Sequence, residues 1–198
     1  MDQTIGMIIF LAVNLILAAG LGLLFGKTNI LGEKSRLSKW LRYLIGIVAF
    51  GLLSVIGTAT AATYDGALLN ARDYGPVSGG LWFGPIVGIG AAVIGAAYRF
   101  TLGGITAVPC TIATLLAGII SGLIYVWCRK TGKQLSVWVA AIAMLVIEVI
   151  HLALVASMTE GGLAIVLGPT GIGTLTFGVV LVLVFSITYK MSSKKSEN

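Results

Sequence analysis

Charge is what this sequence has least of. Lys, Arg, Asp and Glu make up 10% of its 198 residues, against 58% hydrophobic, whereas a soluble domain carries about 25% charged residues. So few polar groups cannot cover a water-facing surface, which excludes a soluble globular fold and makes lipid the expected main solvent. Acidic residues are scarcer than basic ones, seven in all, and histidine occurs once, at His151. The two cysteines, Cys110 and Cys128, are too few for a disulfide framework and lie at no metal-ligand spacing. No glycine loop ending in Lys-Ser or Lys-Thr for phosphate, no metal-ligand motif and no nucleophile–base motif can be read along the sequence. It also has no soluble stretch long enough to bury a catalytic core. Neither a metal nor a cofactor is expected. Met1-Asp2-Gln3 lacks the positive segment of a cleavable signal and runs directly into an apolar span.

What is present is apolar length. Six apolar segments run over 4–25, 43–62, 80–98, 105–127, 136–157 and 164–189. Crossing the hydrocarbon takes about 20 residues, so five are long enough and the third is marginal. The net charge of +6 does not point to nucleic acid, because eleven of the thirteen basic residues sit in three short clusters beside apolar spans. These are Lys27, Lys34, Arg36, Lys39 and Arg42; Arg129, Lys130 and Lys133; and Lys190, Lys194 and Lys195. Such clusters mark loops on the cytoplasmic side. All three reach that side only if residues 80–127 cross the bilayer once, which makes 80–100 a re-entrant or half-depth element. Non-helical backbone is tolerated at membrane depth where protein or a cavity surrounds it.

The expected fold is therefore an all-α integral membrane bundle of five full transmembrane helices plus one short or re-entrant Gly-rich helix. A single transmembrane domain would cover 1–190 and a disordered polar tail 191–198. The N-terminus would be outside and the C-terminus cytoplasmic. The alternative is six spans. It draws on Gly80, Gly84, Gly88, Ala92 and Ala96, a four-residue stripe suited to one face of a continuous helix over 80–97. Ala113, Ala117 and Ser121, with Gly118 and Gly122, repeat the stripe on the next segment, and such stripes let helix backbones approach closely. Trp82, Trp127 and Trp138 near segment ends fit an aromatic belt.

The two basic residues outside the clusters are Arg72 and Arg99. A guanidinium in such a setting is costly without a partner and marks a functional site, and Arg grips a carboxylate with two parallel hydrogen bonds. The residues thus point to a small anionic ligand inside the bundle. Competing readings are a loop Arg72 paired with Asp65 or Asp73, and an Arg99 that snorkels to headgroups. Gly103-Gly104 and Pro109 predict a break before the fourth segment, with Cys110, Thr111 and Thr114 in the first turns after it. A helix start there offers free N–H groups and partial positive charge. Glu148 and His151, three residues apart on one helix face, form a candidate polar core pair. They either fix helix packing or relay protons and contact ligand.

The motif Asn70-x-Arg72, Gly79-Gly80-Leu81, Gly84-Pro85, Gly88, Gly95, Arg99, Gly103-Gly104, Thr106-Ala107, Cys110, Gly118 and Gly122 resembles the membrane sensor domain of LytS/YehU (BtsS)-type bacterial sensor histidine kinases. The resemblance covers nearly the whole chain, including Gly57-Thr58 and Glu148. It implies a five-transmembrane receptor region that senses external small molecules or envelope state and reports to a two-component pathway. Some members are pyruvate receptors; others are tied to murein hydrolase control. In pyruvate-sensing members the site is attributed to two arginines, a cysteine and a serine. Arg72, Arg99 and Cys110 match here, Ala113 stands at the serine position, and Pro109 replaces a small residue. Thr111 and Thr114 offer substitute hydroxyls.

The expected function is a sensor domain binding a small external carboxylate of the pyruvate type. The rival is a transporter or transport subunit for such a carboxylate. The chain is not expected to be an enzyme, since its only histidine lies within a predicted span. Expected partners are the ligand, the bilayer, a separate kinase or response regulator, and a second copy of the chain.

Overall fold

The computed structural model of the chain describes residues 3–32, 35–64, 67–69 and 71–196. Asp65, Asn70 and Lys34 lie outside the described residues, as do residues 197 and 198. Five helices are long and apolar enough to cross a membrane. They are α1 (Gln3–Thr28), α2 (Lys39–Ala59), α5 (Ala107–Lys130), α6 (Val137–Met158) and α8 (Pro169–Ser196). Local chemistry sets their starts. Ser38 accepts a hydrogen bond from Leu41 N at 3.3 Å and Ser136 one from Val139 N at 3.1 Å, each satisfying an N–H that the first turn leaves unpaired. Pro169 opens α8, where a missing N–H costs nothing. Ile16, Leu123, Ile142 and Ile172 face outward, as lipid-facing positions must. The polar tail expected from 191 is, through Ser196, the last part of α8.

Between α2 and α5 lie a two-stranded antiparallel hairpin, β1 (Ala62–Tyr64) and β2 (Ala67–Leu69), then α3 (Tyr74–Phe83) and α4 (Pro85–Thr101). The small-residue stripe does not run along one helix. Gly84 has φ +98°, a left-handed conformation that glycine adopts without penalty, and there the chain folds back. Gly80 and Gly88 come face to face: a Cβ built on Gly88 would stand 2.6 Å from Gly80 Cα. The segment is a re-entrant helical hairpin that enters and leaves at the same end of the bundle. It begins at Tyr74, earlier than the apolar pattern predicts, and the six-span alternative, which needs a continuous helix over 80–97, is not adopted. On the other side of the stripe, Gly80 packs on Ser121, Gly88 against the Gly118 carbonyl, and Pro85 against Gly122. Ala117, also on α5, is fully buried.

The basic clusters gather at one end. Arg129, Lys133 and Lys190 share a cleft with Trp82, while Lys39 and Arg42 share another with Phe83 and Tyr125. Trp127 and Trp138 are exposed there as a belt requires. Trp82 is not part of it: its Nε1 donates to Ser186 Oγ at 3.0 Å. A short α7 (Gly162–Leu167) caps the opposite end.

Candidate functional site

The polar residues of the bundle converge near the end opposite the basic loops. Thr114 lies seven residues into α5, about 10 Å along its axis at 1.5 Å per residue, and His151 lies seven residues before the end of α6. The turn that begins α3 reaches down to this layer and brings Arg72 and Asp73 with it. Arg72 Nε donates to Thr114 Oγ1 at 2.6 Å, and Thr114 Oγ1 lies 2.6 Å from Asp73 Oδ1. The hydroxyl thus accepts from the cation and donates to the carboxylate. Arg72 is fully buried and its Nε lies 3.5 Å from Asp73 Oδ1. Of the two acids the sequence offers to Arg72, Asp65 lies outside the described residues, and Asp73 meets it inside the bundle rather than in an outer loop.

Asp73 is the hub. Its Oδ2 is 2.9 Å from His151 Nδ1, which also stands 3.4 Å from Glu148 Oε2. Glu148 and His151 therefore stand side by side, joined by a third group that the sequence offers only as a partner of Arg72. One signal was available: Asp73 is one of just seven acids and leads directly into an apolar, glycine-rich stretch. The other imidazole nitrogen, Nε2, lies 3.3 Å from Cys110 Sγ. Ligating atoms of Asp73, Glu148 and His151 lie within 4.8 Å of one another, a spacing that also suits a cation. His151 Nδ1 stands at ion-pair distance from both carboxylates, and the guanidinium beside Asp73 opposes a second cationic centre.

Arg99 lies in the last turn of α4 and is 2% exposed. It does not snorkel. Its Nη1 donates to Gly103 O at 2.7 Å and its Nη2 to Thr106 Oγ1 at 2.9 Å, so the turn before α5 wraps around the guanidinium. That turn needs left-handed backbone at Gly103 (φ +63°) and Gly104 (φ +89°), which explains the glycine pair. The predicted break is present, and α5 starts at Ala107.

A cavity of about 280 Å³ opens between this turn and α6, α7 and α8, and its wall includes Arg99, Thr106, Cys110, His151 and Thr174. Arg72 and Thr114 are not among its lining residues; they form the layer behind Cys110, whose helix carries Thr114 one turn further on. Thr111 also stays off the wall and donates to Ala107 O within its own helix. Thr106 supplies a cavity hydroxyl, a position that sequence reasoning quoted only as part of a motif. Ala113 is buried without a polar atom to offer.

Comparison with known proteins places this sequence in a family. The model of the family described as 5TMR of 5TMR-LYT matches residues 27–189. The sensor histidine kinase YpdA of Escherichia coli (strain K12) is 34% identical over 154 residues, covering 73% of this chain and 26% of that protein. The sensor histidine kinase BtsS of the same strain is 33% identical over 95 residues, 48% of this chain and 16% of its own. The sensor protein LytS of Bacillus cereus is 35% identical over 99 residues, 50% and 17% respectively. The chain thus spans about a quarter or less of the length of these relatives. No solved structure gives a significant match. Five apolar spans around a re-entrant hairpin and a match across most of the sequence carry one conclusion: this chain belongs to the 5TMR-LYT family, the multi-pass membrane sensor domain of LytS-type sensor kinases.

Proposed function

We propose that this domain binds a small carboxylate of the pyruvate type from the outer side of a bacterial plasma membrane and passes the signal to a kinase and response regulator. The observation that carries the reading is Arg99: a buried guanidinium on the wall of a cavity, with two of its five N–H donors spent on the turn that holds it. The cavity volume lies near the lower end of the roughly 300–1,000 Å³ range of ligand pockets, which suits a ligand of few atoms. Thr106 takes the part of the hydroxyl that Ala113 lacks. Arg72 acts one layer back, fixing Asp73 and Thr114 behind the cavity wall. The basic loops gathered at one end favour a cytoplasmic C-terminus and an external N-terminus.

The test is calorimetric titration of the detergent-solubilised protein with pyruvate, lactate and acetate. Saturable pyruvate binding is expected, lost in Arg99→Ala and weakened in Arg99→Lys, which keeps the charge but not the fork. Undiminished binding by folded Arg99→Ala overturns the reading. The buried Asp73–His151–Glu148 chain also suits a proton-coupled carboxylate transporter. Uptake into liposomes driven by a pH gradient distinguishes it.

A further inference from the structure

One contact on the cavity wall offers more than ion pairing. Cys110 Sγ lies 3.3 Å from His151 Nε2, and His151 Nδ1 lies 2.9 Å from Asp73 Oδ2. Three separate elements, α5, α6 and the turn before α3, supply a thiol, an imidazole and a carboxylate in that order. The carboxylate stands at one ring nitrogen and the sulfur at the other, the order in which a base is set beside a nucleophile. Thr114 and Arg72 hold the carboxylate from its other side, and Glu148 stands at the same ring nitrogen. Cys128 is an internal contrast. It is as buried as Cys110 (6% against 5%), yet the chain's only histidine is engaged with Cys110. Burial alone therefore does not put a thiol beside a base here.

We infer that Cys110 is a nucleophile that adds reversibly to the keto carbon of a 2-oxo acid, so that the ligand is held as a hemithioketal. The choice of ligand class rests on the carboxylate reading above. His151 Nε2 takes the thiol proton, and the sulfur forms a bond to C2. The C=O π pair moves to the keto oxygen, which receives the proton back from His151. Nothing is oxidised, nothing leaves, and the reverse steps release the ligand unchanged. Arg99 holds the carboxylate throughout. Selectivity follows from the chemistry: acetate carries no keto carbon and the C2 of lactate is already tetrahedral, so neither forms the adduct.

The test is carbon NMR of [2-¹³C]pyruvate bound to the purified protein. The expected result is a bound signal in the tetrahedral-carbon region, absent in Cys110→Ser, which retains weaker binding through Arg99. Pyruvate bound with a trigonal C2 overturns the adduct and leaves the carboxylate reading standing. If pyruvate does not bind, that reading fails, and the thiol is judged by itself through iodoacetamide alkylation followed by mass spectrometry. Cys110 is expected to react roughly tenfold or more faster than Cys128 at pH 7. That advantage should be lost in His151→Gln and reduced in Asp73→Asn, both checked for folding. A fast, His151-dependent Cys110 supports the nucleophile; equal rates at the two cysteines overturn it.

Discussion

Replacing Gly88 by alanine adds one methyl group where the re-entrant hairpin has no room. That carbon would meet Gly80 Cα at 2.6 Å, Gly118 O at 3.0 Å and Gly80 N at 3.0 Å, against about 3.5–4.0 Å for relaxed carbon contacts. Every neighbour is backbone, so no side chain can rotate aside. The two arms must separate from each other and from α5 by about 1 Å. Overpacking of this kind costs about 1–3 kcal/mol, offset by about 0.5–1 kcal/mol from exchanging a helical glycine for alanine. The net of about 0.5–2 kcal/mol corresponds to a fall in Tm of roughly 1–8 °C for a chain of this size. Gly20→Ala is the control, because nothing lies within 4 Å of a Cβ built there; it is expected to hold or slightly raise the Tm. Thermal unfolding in one detergent, followed by circular dichroism, compares the three proteins. A Gly88→Ala protein as stable as wild type would refute the close approach of α3 and α4, and with it the re-entrant geometry.

Thr114→Val keeps the shape of the side chain but removes the hydroxyl that joins Arg72 to Asp73. The expected loss is about 2–3 kcal/mol, since hydrogen bonds to charged groups are the strong ones, whereas Thr114→Ser should stay close to wild type; chemical denaturation reads both. Cysteines introduced by Ser35→Cys and Lys133→Cys in a background lacking Cys110 and Cys128 should react with a membrane-impermeant maleimide only after the cytoplasmic face is opened. Labelling of either one in intact cells contradicts the proposed orientation. Trp82→Phe removes the N–H that reaches Ser186 while keeping most of the ring packing on Tyr189. It should cost about 1 kcal/mol and leave pyruvate affinity within about twofold, because Trp82 lies away from the cavity; a larger change in Kd is the refuting result.

The five spans are legible in the sequence because length, hydropathy and flanking basic clusters agree for each. The course of 74–101 is only half legible. Counting crossings requires a re-entrant element, but a four-residue stripe of small side chains has the same spacing along one helix as across two arms packed on each other. Only the sign of φ at Gly84 decides between them, and glycine allows either. The arginines announce themselves by their isolation among apolar residues, and Glu148 and His151 by helical spacing. Asp73 was hidden by its neighbourhood, because a polar run between two spans reads as a surface loop. That the run dips into the bundle depends on partners at positions 114 and 151, some forty residues or more away, and no local pattern encodes that. Thr106 escaped notice for a similar reason: its role comes from the way Gly103 and Gly104 fold the turn back on Arg99.

The short helix α3 has a consequence as a mechanical part. Its leading end carries Asp73, in contact with the histidine and threonine of the polar layer. Its far end carries Trp82 and Phe83, seated on Ser186 and Tyr189 of α8. Ten residues of helix make a strut about 15 Å long, stiff along its axis and steadied by the companion arm α4. One stiff element thus joins the polar layer to the stretch of α8 beside Lys190, so the two ends of the domain share a single rigid part.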